Sequence, residues 1–175
     1  MLFLQSVITG LFVISLANSA KIVEFAGLRF TLGLVSISMA FCLIDVVNQL
    51  YGKADAQKSV SYAVLTRLIL YPLAIPVVGW RVVLATEVVS LFTQLAVDIP
   101  IFDKLKQYRM WFFVRTNLSN FITSIIGAFL FILIAFLGVK PHIEQIIFGQ
   151  IIMRWILSLA FSPITSIIVR LGKRA

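Results

Sequence analysis

Apolar residues gather in six long stretches, at roughly 2–20, 30–50, 60–78, 81–101, 117–138 and 144–170. Each is close to the ~20 residues an α-helix needs to cross the hydrocarbon core of a bilayer. The pattern predicts an all-α polytopic membrane protein with six transmembrane helices, residues 1–175 forming one transmembrane domain. Pro72 and Pro76 predict a kink in the third span, and Gly79-Trp80 a very tight link into the fourth. The weakest spans are the third and fourth, interrupted by Arg67 and Glu87. No Gly/Ser linker, low-complexity tract or internal repeat divides the chain.

Polar residues inside the spans are not scattered. Residues three and four apart share one face of a helix. On the second span Asp45, Asn48 and Gln49 have that spacing; on the fourth, Glu87, Ser90, Gln94 and Asp98 do. The fifth carries Asn117, Asn120, Ser124 and Gly127, with Ser119 beside them, and the sixth Gln150, Arg154 and Ser158. Asn18 and Lys21 close the first span, and Thr66 and Arg67 fall in the third. A charge at the bilayer centre costs roughly 2.5–3.5 kcal/mol on insertion scales, so such residues face a bundle interior or a cavity. Polar stripes on several helices, each with an apolar remainder, predict helices arranged around a polar cavity. Structural readings stand beside this one. Asp45 and Asp98 lie near helix ends and could pair with loop lysines. Glu87 could neutralise Arg67 or Arg154. Ser90, Ser124 and Ser158 could bond back to their own helix.

Composition agrees with the membrane reading. The chain is 61% hydrophobic and 13% charged, with mean hydropathy +1.04, against about half and a quarter in soluble domains. The net charge of +8 fits basic cytoplasmic loops better than nucleic-acid binding. With six spans, Lys53, Lys58, Lys104, Lys106, Arg109, Arg115, Arg170, Lys173 and Arg174 fall on one side, and Lys21, Arg29, Arg81 and Lys140 on the other. This asymmetry places both termini in the cytoplasm. Segment 102–116, FDKLKQYRMWFFVRT, is expected along the inner interface with Tyr108 and Trp111 at headgroup level. The first apolar run has no basic region before it and exceeds a signal-peptide core, so it is expected to be retained as a span.

The chemistry narrows by exclusion. One cysteine, Cys42, and one histidine, His142, argue against a disulfide, a metal cluster or haem, and no cofactor is expected. No nucleotide-binding glycine loop, HExxH or GxSxG occurs. Asp45 and Asp98 could be read as an intramembrane protease pair, but neither sits in a protease motif. What remains is a site of carboxylates, amides and arginines, suited to a small ligand rich in donors and acceptors, such as a purine-like base. A transporter with its site near the midplane is the physical default.

Five blocks in order resemble the bacterial queuosine precursor transporters, also called a vitamin-uptake-like family. They are ANSAKIVEFAGL (17–28), IDVVNQLYGKADAQKSV (44–60), LFTQLAVDIPIFDKLKQ (91–107), WFFVRTNLSNFITSIIGAFLFILIAFLG (111–138) and IIMRWILSLAFSPI (151–164). The second is similar to the family's Asp-Val-Ile-Asn-Glu-x-Tyr-Gly-Lys block. The third is similar to its Ser-Gln-x-x-Asp pattern, and the fourth to its Trp-x-x-Arg-Asn-Asn-x-Ser block. The resemblance implies a plan similar to the substrate-binding subunits of vitamin transporters, in the bacterial inner membrane. It implies import of 7-deazaguanine-type bases for tRNA modification: the cyano or aminomethyl base, or queuine. It points to Asn18, Lys21, Asp45, Asn48, Gln94, Asp98, Arg115, Asn117 and Ser119 as site residues.

Three positions depart from the family pattern. Gln49 stands in place of glutamate, Gly127 in place of aspartate and Arg154 in place of lysine. The polar stripes add Gln49, Glu87 and Arg154 to the expected site. In the expected mechanism Asp45 and Asp98, with Glu87, accept N–H groups of the base, while Asn48, Gln94 and Asn117 orient it. Arg115 and Arg154 balance the acids, Glu87 standing in as the partner of Arg154. Expected partners are the substrate and the lipid bilayer, with a homo-oligomer allowed and no direct contact with nucleic acid. The alternative function is a membrane subunit that binds another metabolite or vitamin and docks on a separate energising complex.

Overall fold

A computed structural model describes residues 1–172; Lys173 and Arg174, counted above for sidedness, lie outside the described residues. Six helices follow one another: α1 (Leu2–Asn18), α2 (Gly33–Tyr51), α3 (Lys53–Val78), α4 (Trp80–Gln107), α5 (Phe112–Phe136) and α6 (Ile143–Gly172). Five of them, α2 to α6, are long and apolar enough to cross a membrane; α1, of 17 residues, is apolar but shorter. Exposed Leu2, Phe3, Ile69, Leu73, Val77 and Phe148 give the bundle an apolar exterior suited to lipid.

The structure revises several expected boundaries. The first span ends at Asn18, and the connection beyond it holds a β-hairpin, β1 (Ile22–Phe25) and β2 (Leu28–Thr31), so the fold is not purely helical. The strands pair antiparallel, Val23 opposite Phe30 and Glu24 opposite Arg29. Ala26 and Gly27 turn with φ of 50° and 78°, the two positive values of a tight hairpin turn. The helix α3 begins at Lys53 rather than near 60, because Gly52, at φ 97°, makes the whole turn from α2. Asp55 then sits in the first turn of α3, where the helix dipole favours an acid, 3.2 Å from Lys58. The helix continues through Pro72 and Pro76 to Val78. Within segment 102–116, 102–107 completes α4 and α5 begins at Phe112. Phe102 is buried beside Phe112, ring centroids 5.8 Å apart, which locks this corner into the bundle. Tyr108 and Trp111 in the intervening turn are exposed.

Contacts define two ends. At one, the α-amino group of Met1 meets the Tyr51 hydroxyl at 3.4 Å, Lys106 reaches the Asn48 carbonyl and Arg115 reaches Gln49. At the other, the hairpin meets α6 and Arg81 donates to the Ile134 carbonyl at 3.1 Å. Two glycines seat the hairpin end. A side chain on Gly33 would strike the Ser15 carbonyl, and one on Gly149 the Arg29 backbone. Apolar packing is split likewise. Ile8, Phe12, Ile44 and Val60 pack toward the chain-end side, and Leu16, Val83, Ile132 and Ile146 toward the hairpin side. Polar residues of four helices lie between and beside these clusters.

Candidate functional site

The hairpin end holds a cavity with about 440 Å³ of atom-free space, counting its opening. The room inside it for water-sized occupants is only about 40 Å³, below the ~300–1,000 Å³ of small-molecule sites, so a ligand larger than a few waters requires it to widen. Ser15 of α1, Ser19 just past its end, Thr31 of β2, Phe41 of α2, Thr86 and Ser90 of α4, Gly127 and Phe131 of α5, and Gln150 and Arg154 of α6 contribute to its wall. Helices α1, α2, α4, α5 and α6 therefore meet here, and α3 stays outside. Most of the polar lining is fixed by local bonds. Ser15 donates to the Gly33 carbonyl at 3.0 Å and Ser19 to the Ser15 carbonyl at 2.6 Å. The Thr31 amide donates to Gln150 Oε1 at 3.1 Å, joining β2 to α6.

Arg154 is the one charged residue in this wall. It is 4% exposed, and its guanidinium carbon lies 4.5 Å from the ring centroid of Phe41. Its Nε and Nη2 have no hydrogen-bond partner among the described residues. A Cβ on Gly127 would sit 2.9 Å from Nη1. Gly127 of α5 and Arg154 of α6 are thus in contact: glycine makes the room that the guanidinium occupies. The expected pairing of Glu87 with Arg154 is overturned. Glu87 binds Arg67 of α3 in a two-point buried pair, Nη2 to Oε2 and Nε to Oε1 both at 2.9 Å. Arg67 also lies 4.7 Å from the Phe12 ring centroid. The polar stripe of α4 therefore splits, Glu87 turning toward α3 while Ser90 borders the cavity.

From the cavity a buried polar column continues toward the chain-end side. Along α4 it passes from Ser90 to Gln94 and Asp98, in a π-helical stretch spanning Phe92–Asp98. Such wide turns are frequent at functional sites. The Gln94 amide donates to Asp98 Oδ2 at 3.1 Å. Asp45 lies across from it on α2, its Oδ2 accepting from Asn120 at 3.4 Å. Asn117 joins α5 to α6, donating to Ser162 at 2.9 Å and accepting from Ser158 at 3.2 Å. Ser158 thus bonds across helices, whereas Ser124 bonds back to the Phe121 carbonyl at 2.7 Å. Asp45, Asn48, Gln94, Asp98 and Ser119 are fully buried. Asp45 Oδ1, Asn48 Oδ1, Gln94 Oε1 and Asp98 Oδ1 find no partner among the described residues. Orphaned buried polar atoms each cost about 1–3 kcal/mol, so a run of them marks places where a ligand or water completes the bonding.

At the chain-end side the column meets a knot of side chains. Arg115 donates to Gln49 Oε1 at 2.6 Å and lies 5.0 Å from the Phe102 ring. Lys106 donates to the Asn48 carbonyl at 3.3 Å, and Asn48 to the Ile99 carbonyl at 3.5 Å.

Of the expected residues, Asp45, Asn48, Gln49, Gln94, Asp98, Arg115, Asn117, Ser119 and Arg154 fall along this column, only Arg154 also bordering the cavity. Asn18 and Lys21 bond to each other at 3.2 Å outside the cavity wall. Ser15, Ser19, Thr31, Phe41 and Gln150 were not among the expected site residues. The i, i+4 spacing of the two serines was readable as one face; Thr31 was not, because it reaches the wall only through the hairpin.

Residues 74–168 match a family described as "Putative vitamin uptake transporter". No curated protein and no solved structure shows a significant match to the chain.

Proposed function

This chain belongs to the family described as putative vitamin uptake transporters, multi-pass membrane proteins that carry a small molecule, and on that premise we propose that it imports 7-deazaguanine-type precursors of queuosine. The observation that carries this reading is the buried column from Arg154 through Asp98, Gln94 and Asp45 to Asn48, with its unpartnered oxygens. A carboxylate or amide oxygen without a partner is suited to accept an N–H of a nitrogen-rich base. The five family-like sequence blocks supply most of these residues.

In this reading six helices span the bacterial cytoplasmic membrane, with both termini inside. The base enters at the hairpin end, where Phe131 offers an aromatic surface and Arg154, Gln150, Ser15 and Ser19 offer polar contacts. Passage requires the column to open and the knot of Arg115–Gln49 and Lys106–Asn48 to part. The protein is a carrier and not an enzyme: the base crosses unaltered.

The test is rescue. Cells that cannot make queuosine receive an external precursor, and queuosine in their tRNA is measured. Expression of this chain restores it, and Asp45→Ala or Asp98→Ala abolishes it while the protein stays in the membrane. No rescue with the protein inserted would overturn the proposal. Ligand binding without uptake in vesicles free of other proteins would favour a binding subunit that needs a motor.

A further inference from the structure

We propose that Arg154, in the space left by Gly127, makes the cavity select ligands that present a carboxylate on a planar heteroaromatic ring, and reject ligands that present an amine. The inference rests on the proposed function only for the identity of the ring. The cavity wall holds one charge, a guanidinium, and no acid. That guanidinium is buried, and two of its nitrogens lack partners. No carboxylate lies within 4.0 Å of it among the described residues: the buried pair nearby belongs to Arg67 and Glu87. Asp98 is committed in part to Gln94. A buried arginine without a close counter-ion is costly, and an incoming carboxylate supplies the missing partner with geometry suited to a planar fork. An ammonium group in the same place meets a like charge at low local dielectric.

Two further features point the same way. Gly127, where even a Cβ would sit 2.9 Å from Arg154 Nη1, presents no side chain to the guanidinium from α5, so nothing there pairs it or shows negative charge to the ligand. The hairpin end carries Lys21, Arg29, Arg81 and Lys140 against Glu24 and Glu144, an excess of positive charge on that side of the bundle. Such a field steers anions inward. The remaining wall, with Phe131 beside hydroxyl and amide groups, offers an aromatic surface with polar edges to a flat ring once the cavity widens.

The experiment uses the full chain in lipid nanodiscs and calorimetric binding. Two matched ring series are compared: 7-carboxy-, 7-cyano- and 7-aminomethyl-7-deazaguanine, and pyridine-3-carboxylate with 3-(aminomethyl)pyridine. A charge-assisted contact of this kind corresponds to about tenfold or more in affinity. The carboxylates are expected to bind at least about tenfold more tightly than the amines. Arg154→Gln and Gly127→Asp abolish that preference, the second by pairing the guanidinium internally, and Arg154→Lys restores part of it. Arg154→Gln that elutes and unfolds like the parent shows that the loss is not misfolding. Equal or tighter binding of the amines overturns the proposal, as does an unchanged carboxylate preference in Arg154→Gln, or no binding of any carboxylate. If the pyridine pair shows the preference and no deazaguanine binds, the assignment of Arg154 stands and the queuosine reading falls. If deazaguanines bind with the amine favoured, the reverse holds.

Discussion

Removing one partner of the Arg67–Glu87 pair should be the most damaging single change outside the polar column. Arg67 is fully buried and Glu87 nearly so, and they meet at two points of 2.9 Å. An ordinary interhelical hydrogen bond in a membrane protein is worth only about 0.6 kcal/mol. Leaving a buried charge alone is a different case, costing about 3–5 kcal/mol. Glu87→Gln strands the guanidinium but keeps its contact with the Phe12 ring, so a loss near the lower end, about 3 kcal/mol, is expected. Arg67→Met strands the carboxylate and also loses the cation–π contact, adding about 1–2 kcal/mol. The double variant Arg67→Met with Glu87→Leu removes both charges and fills similar volume. It should be close to the parent in stability, since replacing a whole buried pair by apolar groups is often neutral. Reversible unfolding in mixed micelles, followed by helical circular dichroism against denaturing detergent fraction, measures all four proteins. The reasoning is refuted if Glu87→Gln costs under about 1 kcal/mol, or if the double variant is no more stable than the worse single one.

Gly149→Ala places a methyl group into the Arg29 backbone; overpacking of about 1–3 kcal/mol should free the hairpin. Amide exchange should rise across 22–31 while α2 and α5 stay protected. Gly33→Ala, which meets the Ser15 carbonyl, should instead part α1 from α2 and lower global stability by a similar amount. Cys42, the only cysteine, is fully buried within 3.9 Å of Asn120 in the column. In native membranes its alkylation by N-ethylmaleimide should be slow and should change on adding transported ligand; a ligand-independent rate would argue against a path past α2.

The stripes were legible because helical periodicity is a local property. Asp45 with Asn48 and Gln94 with Asp98 share faces whatever the neighbours are, and burial follows from the cost of showing a carboxylate to lipid. Partner choice is not local. Glu87 has the right period to join Gln94, yet α3 supplies Arg67 opposite it, and the pairing turns on how two helices rotate against each other. The hairpin was missed for a different reason. Ile22–Phe25 and Leu28–Thr31 are four residues each, too short to stand out between long apolar runs. The Ala26-Gly27 turn was a readable cue. Gly52 similarly hid the true start of α3, since a single residue with positive φ replaced the expected loop.

Two kinds of buried charge emerge, and geometry separates their roles. Arg67 and Glu87 neutralise each other at 2.9 Å between α3 and α4, so they hold helices together. Arg154, Asp45 and Asp98 form no such close pair among the described residues; all five side chains keep an atom without a hydrogen-bond partner, so the close counter-charge is what separates the two groups. A chain that gives one buried charge so close a counter-charge is able to do the same elsewhere with the same residue types. Leaving three charges incompletely bonded along one path, between a cavity and an opposing knot of Arg115 and Lys106, therefore reads as the bonding that a passing molecule completes. Gly127 bears on this directly: an acid there would have closed off Arg154 as Glu87 closes off Arg67, and its absence is what keeps the guanidinium available.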